Sequence, residues 1–517
     1  MFSPIDFLLA NARTTPKAPA YRWEGGGASW SEMRQRVAKL AGALKALGVS
    51  KGDRVAILAL NCHQFFEYYY AVWWAGAVVV PMNTRWSPAE NAYALSDSEA
   101  TVLFVDGHFA PSLDSITADC PLEHTVFIGS GTPPEGALDY EEIIASADPM
   151  ATADCDGEDL AGLYYTGGTT GFPKGVMLSH RALWFNNVSI ASGYDSSPGD
   201  VYLHAAPMFH LADGGFSGAA TAGGAACHVF LAHFDPNLAM QTIEQHQVTH
   251  SILVPTMLGM LVASPEFEPD RLRSLRQVGY GASPMPQGLM MRLLESLPTT
   301  QWVQGYGQTE MAPVITLLLP EYHVAGGSKL GSAGRPAIGV EVKICDDSGD
   351  EVAPGVVGEI VARSPGTMNG YWKMPEQTQA TLVDGWVKTG DGAYQDEDGF
   401  IFIVDRMKDM IVSGGENVFS AEVESALSTH DAVASVAVIG IPDERWGEAV
   451  HAIVIAQPDV EVSEASLMEH CRTLIANYKC PRSIAFRNEP FPLSGAGKVL
   501  KTELRKPYWE GAERRVN

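Results

Sequence analysis

The chain has 517 residues, 46% of them hydrophobic and 19% charged, a globular composition that excludes a largely disordered protein and gives chain enough for roughly two to four domains. Its 35 Lys and Arg stand against 61 Asp and Glu, and the resulting formal charge of −26 repels a phosphate backbone, so nucleic acid is not an expected partner. Seven scattered cysteines, none spaced as CxxC, argue against a disulfide framework or a structural zinc site and fit a reducing cytoplasm.

The first residues, MFSPIDFLLANARTTPKAP, lack a basic stretch followed by a long apolar core, so no signal peptide is expected. Residues 31–48 place Val37, Leu40, Leu44 and Leu47 at helical spacing, with Gly48 as the stop. The most apolar run, YYYAVWWAGAVVV at 68–80, is 13 residues long and split by Gly76. Crossing a bilayer takes about 20 residues, so this run predicts a buried helix leading into a strand and no transmembrane segment. Short apolar runs at 55–60, 77–82, 101–106 and 124–129 alternate with amphipathic segments and predict parallel sheets covered by helices. From about residue 331 to 404, turns rich in Gly, Pro and Asp separate short β-rich runs, which predicts a β-subdomain. A boundary is expected at Asp405-Arg406. Beyond it, strands at 433–441 and 448–456 and a helix opened by Ser463 predict a small α/β domain over 405–517. His246 and His250 have i,i+4 spacing without a third ligand and are read as one helix face.

Six motifs carry chemistry. The first is Tyr164-Tyr-Thr-Gly-Gly-Thr-Thr-Gly-Phe-Pro-Lys-Gly-Val176. Glycines let backbone N–H groups approach an anion, threonine hydroxyls add donors and Lys174 adds charge. The composition suits a phosphate cradle, although it is not the Walker pattern. Gly305-Tyr-Gly-Gln-Thr-Glu310 offers an aromatic face for a base, a hydroxyl for a phosphate and a carboxylate for a hard cation. The remaining four are Lys388-Thr-Gly-Asp391, Asp405-Arg-Met-Lys-Asp-Met-Ile411, Ser413-Gly-Gly-Glu-Asn417 and Pro492-Leu-Ser-Gly-Ala-Gly-Lys498. No GxSxG, HExxH or GxxxxGK[ST] pattern competes with them.

In this order the six motifs resemble those of the adenylate-forming superfamily, which includes acyl-CoA synthetases, adenylation domains of peptide synthetases and beetle luciferases. The resemblance covers nearly the whole chain. It implies an α/β fold with a large N-terminal domain (1–404) of stacked α/β sheets, a β-barrel-like subdomain within it (331–404), and a small mobile C-terminal α+β domain (405–517). It implies an AMP-forming ligase of ATP, Mg²⁺ and coenzyme A, which joins a carboxylic acid to ATP and then to a thiol. The resemblance assigns Thr166, Gly167, Gly168, Thr169, Thr170 and Lys174 to the phosphates. Gly281, Ala282, Gly305, Tyr306 and Thr309 go to the nucleotide, and Asp391 and Arg406 to the ribose. Glu310 holds Mg²⁺ and Lys498 is the catalytic lysine, its ammonium countering charge as two anions meet. His210 screens the acid, in a pocket shaped by Ala212, Gly214, Phe216 and Met311. Lys408 is the hinge, and Gly414 and Gly415 line a pantetheine passage. Trp446, Lys479 and Arg482 meet coenzyme A. The pocket residues are small or apolar and no cation stands among them, which favours a hydrophobic acid, a medium- or long-chain fatty acid or a cinnamate-type acid. Asp213 is the one acidic residue in that stretch. Two alternatives share the motifs: a stand-alone enzyme that loads a carrier protein, and a luciferase-like oxygenase. The resemblance leaves a homodimer open.

Overall fold

The computed structural model describes residues 2–118, 120, 122–167, 173–406, 410–413, 416–443, 445–458, 460–494 and 498–509, with the side chains of 405, 406, 416 and 417 outside the description. Its fold is mixed α/β, with a large N-terminal part and a small C-terminal one. Two large sheets dominate the N-terminal part. The eight-stranded sheet runs, edge to edge, through Gly370–Tyr371, Lys174–Ser179, Leu160–Thr166, Val78–Pro81, Arg54–Leu58, Val102–Asp106, His124–Ile128 and Leu138–Asp139. The nine-stranded sheet runs through Arg335–Pro336, Val314–Leu318, Gln301–Gly307, Gln277–Gly281, His250–Ile252, Val201–His204, Cys227–Phe230, Pro19–Trp23 and Gly26–Ser29. Their inner strands are parallel and buried on both faces, which is why they read as continuous apolar runs.

Local signals place the helices. Trp30–Ala46 opens on a capping box between Ser29 and Glu32, and Gly48 follows it at φ +92. His63–Trp74 ends at Gly76, at φ +74, before the strand Val78–Pro81, as the split apolar run predicts. The helices His180–Ala191 and Leu211–Gly224 lie side by side. At Gly218 a Cβ would stand 2.3 Å from the Asn187 amide nitrogen, so only glycine permits that approach. Ala182 and Leu183 belong to the core under the eight-stranded sheet, whereas Ile190 belongs to the core under the nine-stranded one. The helix His180–Ala191 therefore ties the two sheets together. His246 and His250 do not share a helix face: the helix Pro236–His246 ends at Gln247, at φ +50, and His250 lies in the strand His250–Ile252.

Residues 331–404 build a five-stranded antiparallel sheet through Glu341–Cys345, Gly358–Arg363, Trp386–Gln395 and Leu382–Val383, with Ile401–Arg406 also paired to Trp386–Gln395. Two short strands of this stretch leave it, Arg335–Pro336 for the nine-stranded sheet and Gly370–Tyr371 for the eight-stranded one. The C-terminal part has its own five-stranded sheet and two apolar clusters drawn only from residues 411 to 504. Its helix Glu464–Leu474, capped by Ser463, buries Leu467 and Cys471, while Leu474 at its end is exposed. Among the described residues no helix is long and apolar enough to cross a membrane.

A buried charge locks the N-terminal helices. Glu67, on His63–Trp74, has no exposed surface, and its carboxylate accepts from Arg36 Nε at 2.6 Å, Arg36 Nη2 at 3.0 Å and the Tyr140 hydroxyl at 2.7 Å, and also from the Tyr21 hydroxyl. Arg36 also reaches the exposed Glu141 at 2.7 Å. Removing the guanidinium leaves a buried anion without its cation, so Arg36→Met is expected to cost about 3 kcal/mol. Glu141→Gln is expected to cost less than about 1 kcal/mol, because that pair is exposed. Urea midpoints of the two variants check the difference, and equal losses would refute it.

Candidate active site

The cradle begins as a hairpin. Strands Leu160–Thr166 and Lys174–Ser179 pair antiparallel, Thr166 opposite Lys174, and Gly167 follows the first of them, where a Cβ would meet nothing within 4 Å. Gly168, Thr169 and Thr170 lie outside the described residues, as do Lys408, Gly414 and Gly415. The Lys174 ammonium stands 4.4 Å from the centroid of the Tyr371 ring, and the Tyr371 hydroxyl donates to Glu310 Oε1 at 2.7 Å. Burial, then the Glu310 charge, push the Tyr371 phenol well above its ordinary value, so it remains a donor. Two motifs thus meet through one side chain that sequence reasoning had not singled out. Tyr371 arrives because Gly370–Tyr371 pairs with Met177 and Val176 at the edge of the cradle sheet.

Glu310 and Thr309 form a single 3₁₀ turn, Thr309–Met311, at the end of the strand Gln301–Gly307. Beside them the Gln308 side-chain nitrogen is buried and lacks a hydrogen-bond partner among the described residues. The Glu310 carboxylate and the Thr309 hydroxyl are hard oxygen donors of the kind Mg²⁺ prefers. Among the described residues there is no group of three or more metal-ligating His, Cys, Asp or Glu side chains. Such a site suits Mg²⁺, which keeps several waters and takes the rest of its shell from phosphates.

The nucleotide side is drawn tight. The Tyr306 hydroxyl donates to Asp391 Oδ2 at 2.8 Å, so the residue assigned to the base and the residue assigned to the ribose touch. Asp391 is buried, its N–H held by the Thr389 hydroxyl at 3.1 Å, and it pairs in register with Arg406. Gly281 pairs with Gly305 across adjacent strands, and a Cβ at Gly281 would stand 2.1 Å from the Gly305 carbonyl oxygen. Ala282 then turns the chain at φ +65.

His210 caps the helix Leu211–Gly224, its Nδ1 accepting the Ala212 N–H at 3.1 Å. Burial lowers its pKa to about 4, and the Lys498 ammonium pushes in the same direction. Behind the cap, Ala212 is partly buried, and Gly214 lies against Leu211. Phe216 is fully buried against Gly279 and Gly305, and Met311 is fully buried beneath Thr367. Asp213 points away from any ligand role. Its Oδ2 lies 2.6 Å from His204 Nδ1 and its Oδ1 accepts from Tyr202 at 3.2 Å, while His204 Nε2 lies 2.9 Å from His228. All four side chains are buried, so this carboxylate is spent inside the fold.

The C-terminal assignments divide. Two guanidinium groups stand over the Trp446 ring, Arg445 at 4.6 Å and Arg482 at 4.4 Å from its centroid. Lys479 instead pairs with Glu422 at 2.7 Å.

A sequence profile described as AMP-binding enzyme matches residues 8–372, and one described as AMP-binding enzyme C-terminal domain matches residues 422–498. A feruloyl-CoA synthase of an Amycolatopsis species is 39% identical over 500 residues, covering 97% of this chain and 98% of the relative. The fatty acid–[acyl-carrier-protein] ligase ScoC of Streptomyces coeruleorubidus is 36% identical over 516 residues, covering 98% and 96%. Among solved structures, the anthranilate CoA ligase AuaEII in complex with anthranoyl-AMP aligns with a TM-score of 0.91 at 29% identity, covering 99% of this chain and 98% of the other.

Three histidines make the fold acid-sensitive. His180, His210 and His323 are each held at about 4, chiefly by burial, against an ordinary value of 6.5. Each is neutral when folded, whereas the unfolded chain binds its proton below about pH 6.5. Stability therefore falls as pH drops from 6.5 toward 4, by up to about 1.4 kcal/mol per pH unit per histidine, and these groups add no slope above 6.5. Melting temperatures from pH 7.5 down to 5 read this, and His210→Gln should make the fall shallower.

Proposed function

The chain belongs to the AMP-binding enzyme family, the adenylate-forming superfamily its motifs resemble, and on that premise we propose that it is an ATP-dependent carboxylic acid–CoA ligase for a hydrophobic acid. The observation that carries the reading is that Lys174 and Glu310 meet on the one side chain of Tyr371, while Tyr306, four residues before Glu310, bonds Asp391. In the first step a carboxylate oxygen attacks the α-phosphorus of ATP, the bond to the β-phosphate oxygen breaks, and acyl-AMP and pyrophosphate form. In the second, the thiol of coenzyme A adds to the acyl carbon, loses its proton, and AMP leaves. Lys174 meets the departing phosphates and Thr309 donates to the α-phosphate. Asp391 accepts from the ribose. Lys498 counters the negative charge that develops as two anions join. Bound Mg²⁺, held through Glu310, would supply charge neutralisation on the phosphates.

Support for a hydrophobic acid comes from the small or apolar Ala212, Gly214, Phe216 and Met311 behind a neutral His210, and from the engagement of Asp213 elsewhere. An aryl acid of the cinnamate type or a fatty acid fits, in keeping with the names of the two curated relatives. We further propose that residues 405–517 turn about Lys408 between the steps, so that Gly414 and Gly415 face the site and Trp446 with Arg482 meets the nucleotide end of coenzyme A. Seven free cysteines support a reducing compartment, the cytoplasm. Light scattering distinguishes a monomer from a homodimer.

The carrier-protein relative favours a second reading, in which the acceptor thiol sits on a protein. A panel of fatty and aryl acids, read by pyrophosphate release with and without coenzyme A, tests both. Multiple turnover that depends on coenzyme A, with acyl-CoA detected by mass, is the expected result. Release indifferent to coenzyme A throughout the panel would favour the carrier protein. Lys498→Ala is expected to slow adenylate formation by about 10²–10³ while sparing transfer from supplied acyl-AMP. Equal loss in both steps would overturn its role.

A further inference from the structure

Two contacts among the described residues join the C-terminal part to the N-terminal body at well-separated points. The first is made by Arg85, whose Nη1 donates to the Ser494 carbonyl oxygen at 2.9 Å across 409 residues of chain. Arg85 is rigidly mounted. Its own N–H donates to Asn83 Oδ1 at 2.9 Å, the buried Asn91 holds the Asn83 and Trp86 carbonyls, and a Ser87–Glu90 capping box opens the next helix, Pro88–Ser98. Ser494 is the stem of the loop that presents Lys498. Its N–H donates to the Lys498 carbonyl at 2.7 Å, its hydroxyl accepts the Lys498 N–H at 3.1 Å, and Leu493 pairs with Val499.

The second contact is a close approach of helices. Gly288, in Gln287–Ser296, packs so near the end of Ser420–Ser428 that a Cβ would stand 2.6 Å from the Ser428 carbonyl oxygen. One contact fixes the catalytic loop and the other fixes a helix of the same unit, so together they define an orientation.

From this geometry, and resting on the two-step reading above, we infer that Arg85 and Gly288 are positioning residues for the first half-reaction. They hold the C-terminal unit in the orientation that delivers Lys498, and both contacts separate when the unit turns for thiol transfer. Neither residue touches substrate in this account.

The test compares the half-reactions in Arg85→Ala, Arg85→Lys and Gly288→Ala, with ferulate and dodecanoate as acids. In Arg85→Ala, ATP–pyrophosphate exchange is expected to fall about threefold to tenfold in kcat, the scale of one lost charge-assisted hydrogen bond, with KM for ATP unchanged. Arg85→Lys should recover part of the loss. Gly288→Ala should lose about tenfold, as overpacking at a close contact does, although alanine favours the helix that carries it. Transfer from the prepared acyl adenylate to coenzyme A should keep its wild-type rate in all three. Parallel loss in both half-reactions, or loss in neither, overturns the inference.

Hydrogen–deuterium exchange of the free proteins supplies an arm that needs no substrate. Exchange in Ser420–Ser428 should rise in Arg85→Ala and Gly288→Ala while the strand Leu160–Thr166 stays protected. Unchanged exchange in that helix also overturns the inference. A wild-type enzyme that activates neither acid would count against the proposed function, and the exchange arm would still decide the positioning role.

Discussion

A carboxylate and a triphosphate repel each other, and the chain read here as joining them carries a formal charge of −26 of its own. The field of the whole molecule opposes the encounter, so a few local groups must reverse it. The site places its cations on separate elements. Lys174 leaves the cradle hairpin and lies on the face of Tyr371, and the opposite, hydroxyl end of that ring holds Glu310. The ring keeps ammonium and carboxylate in one site without pairing them directly. A direct ion pair would neutralise both groups before a ligand arrived, whereas a cation–π contact and a neutral donor leave each with most of its charge.

The nucleotide side is held by the nine-stranded sheet. Gly281 and Gly305 bring two strands within a distance no side chain permits, and Tyr306 follows directly with its hydroxyl on Asp391. His210 belongs to the same logic. As a helix cap its Nδ1 is occupied by the Ala212 N–H, and burial keeps the ring neutral at ordinary pH. The Asp213–His204–His228 chain behind it anchors the first turn of that helix and engages the Asp213 carboxylate inside the fold.

Much of this was legible in the sequence because it is local. Alternating apolar runs and capping residues announced the sheets and helices. What was not legible depends on pairings distant in the chain. Tyr371 reads as an ordinary residue of a β-rich stretch until Gly370–Tyr371 joins a sheet whose other strands begin at Arg54. Asp213 stood out as the one acidic residue of an apolar stretch because its partner, His204, sits on a separate strand, and no periodicity links the two. His246 and His250 looked like one helix face because spacing alone does not reveal that Gln247 adopts a left-handed turn between them. Arg85 gave no signal, since its partner is a backbone carbonyl, which every residue carries.

The strengths of the contacts match what each must do. Glu67 is wholly buried and its pairing with Arg36 lies within the N-terminal body, where a strong, fully hydrogen-bonded charge pair suits it. The Arg85–Ser494 contact is different in kind. It lies at the surface, its acceptor is a neutral carbonyl, and water can replace either partner. If the unit turns between adenylation and thiol transfer as proposed, it cannot be held by an interaction as costly to break as a buried ion pair, because release would then limit every turnover. A weak contact on a rigid mount sets direction without setting a large barrier. The same reasoning explains why Gly288 is bare: a close but side-chain-free approach lets the helices meet in one pose and part without unlocking interdigitated side chains.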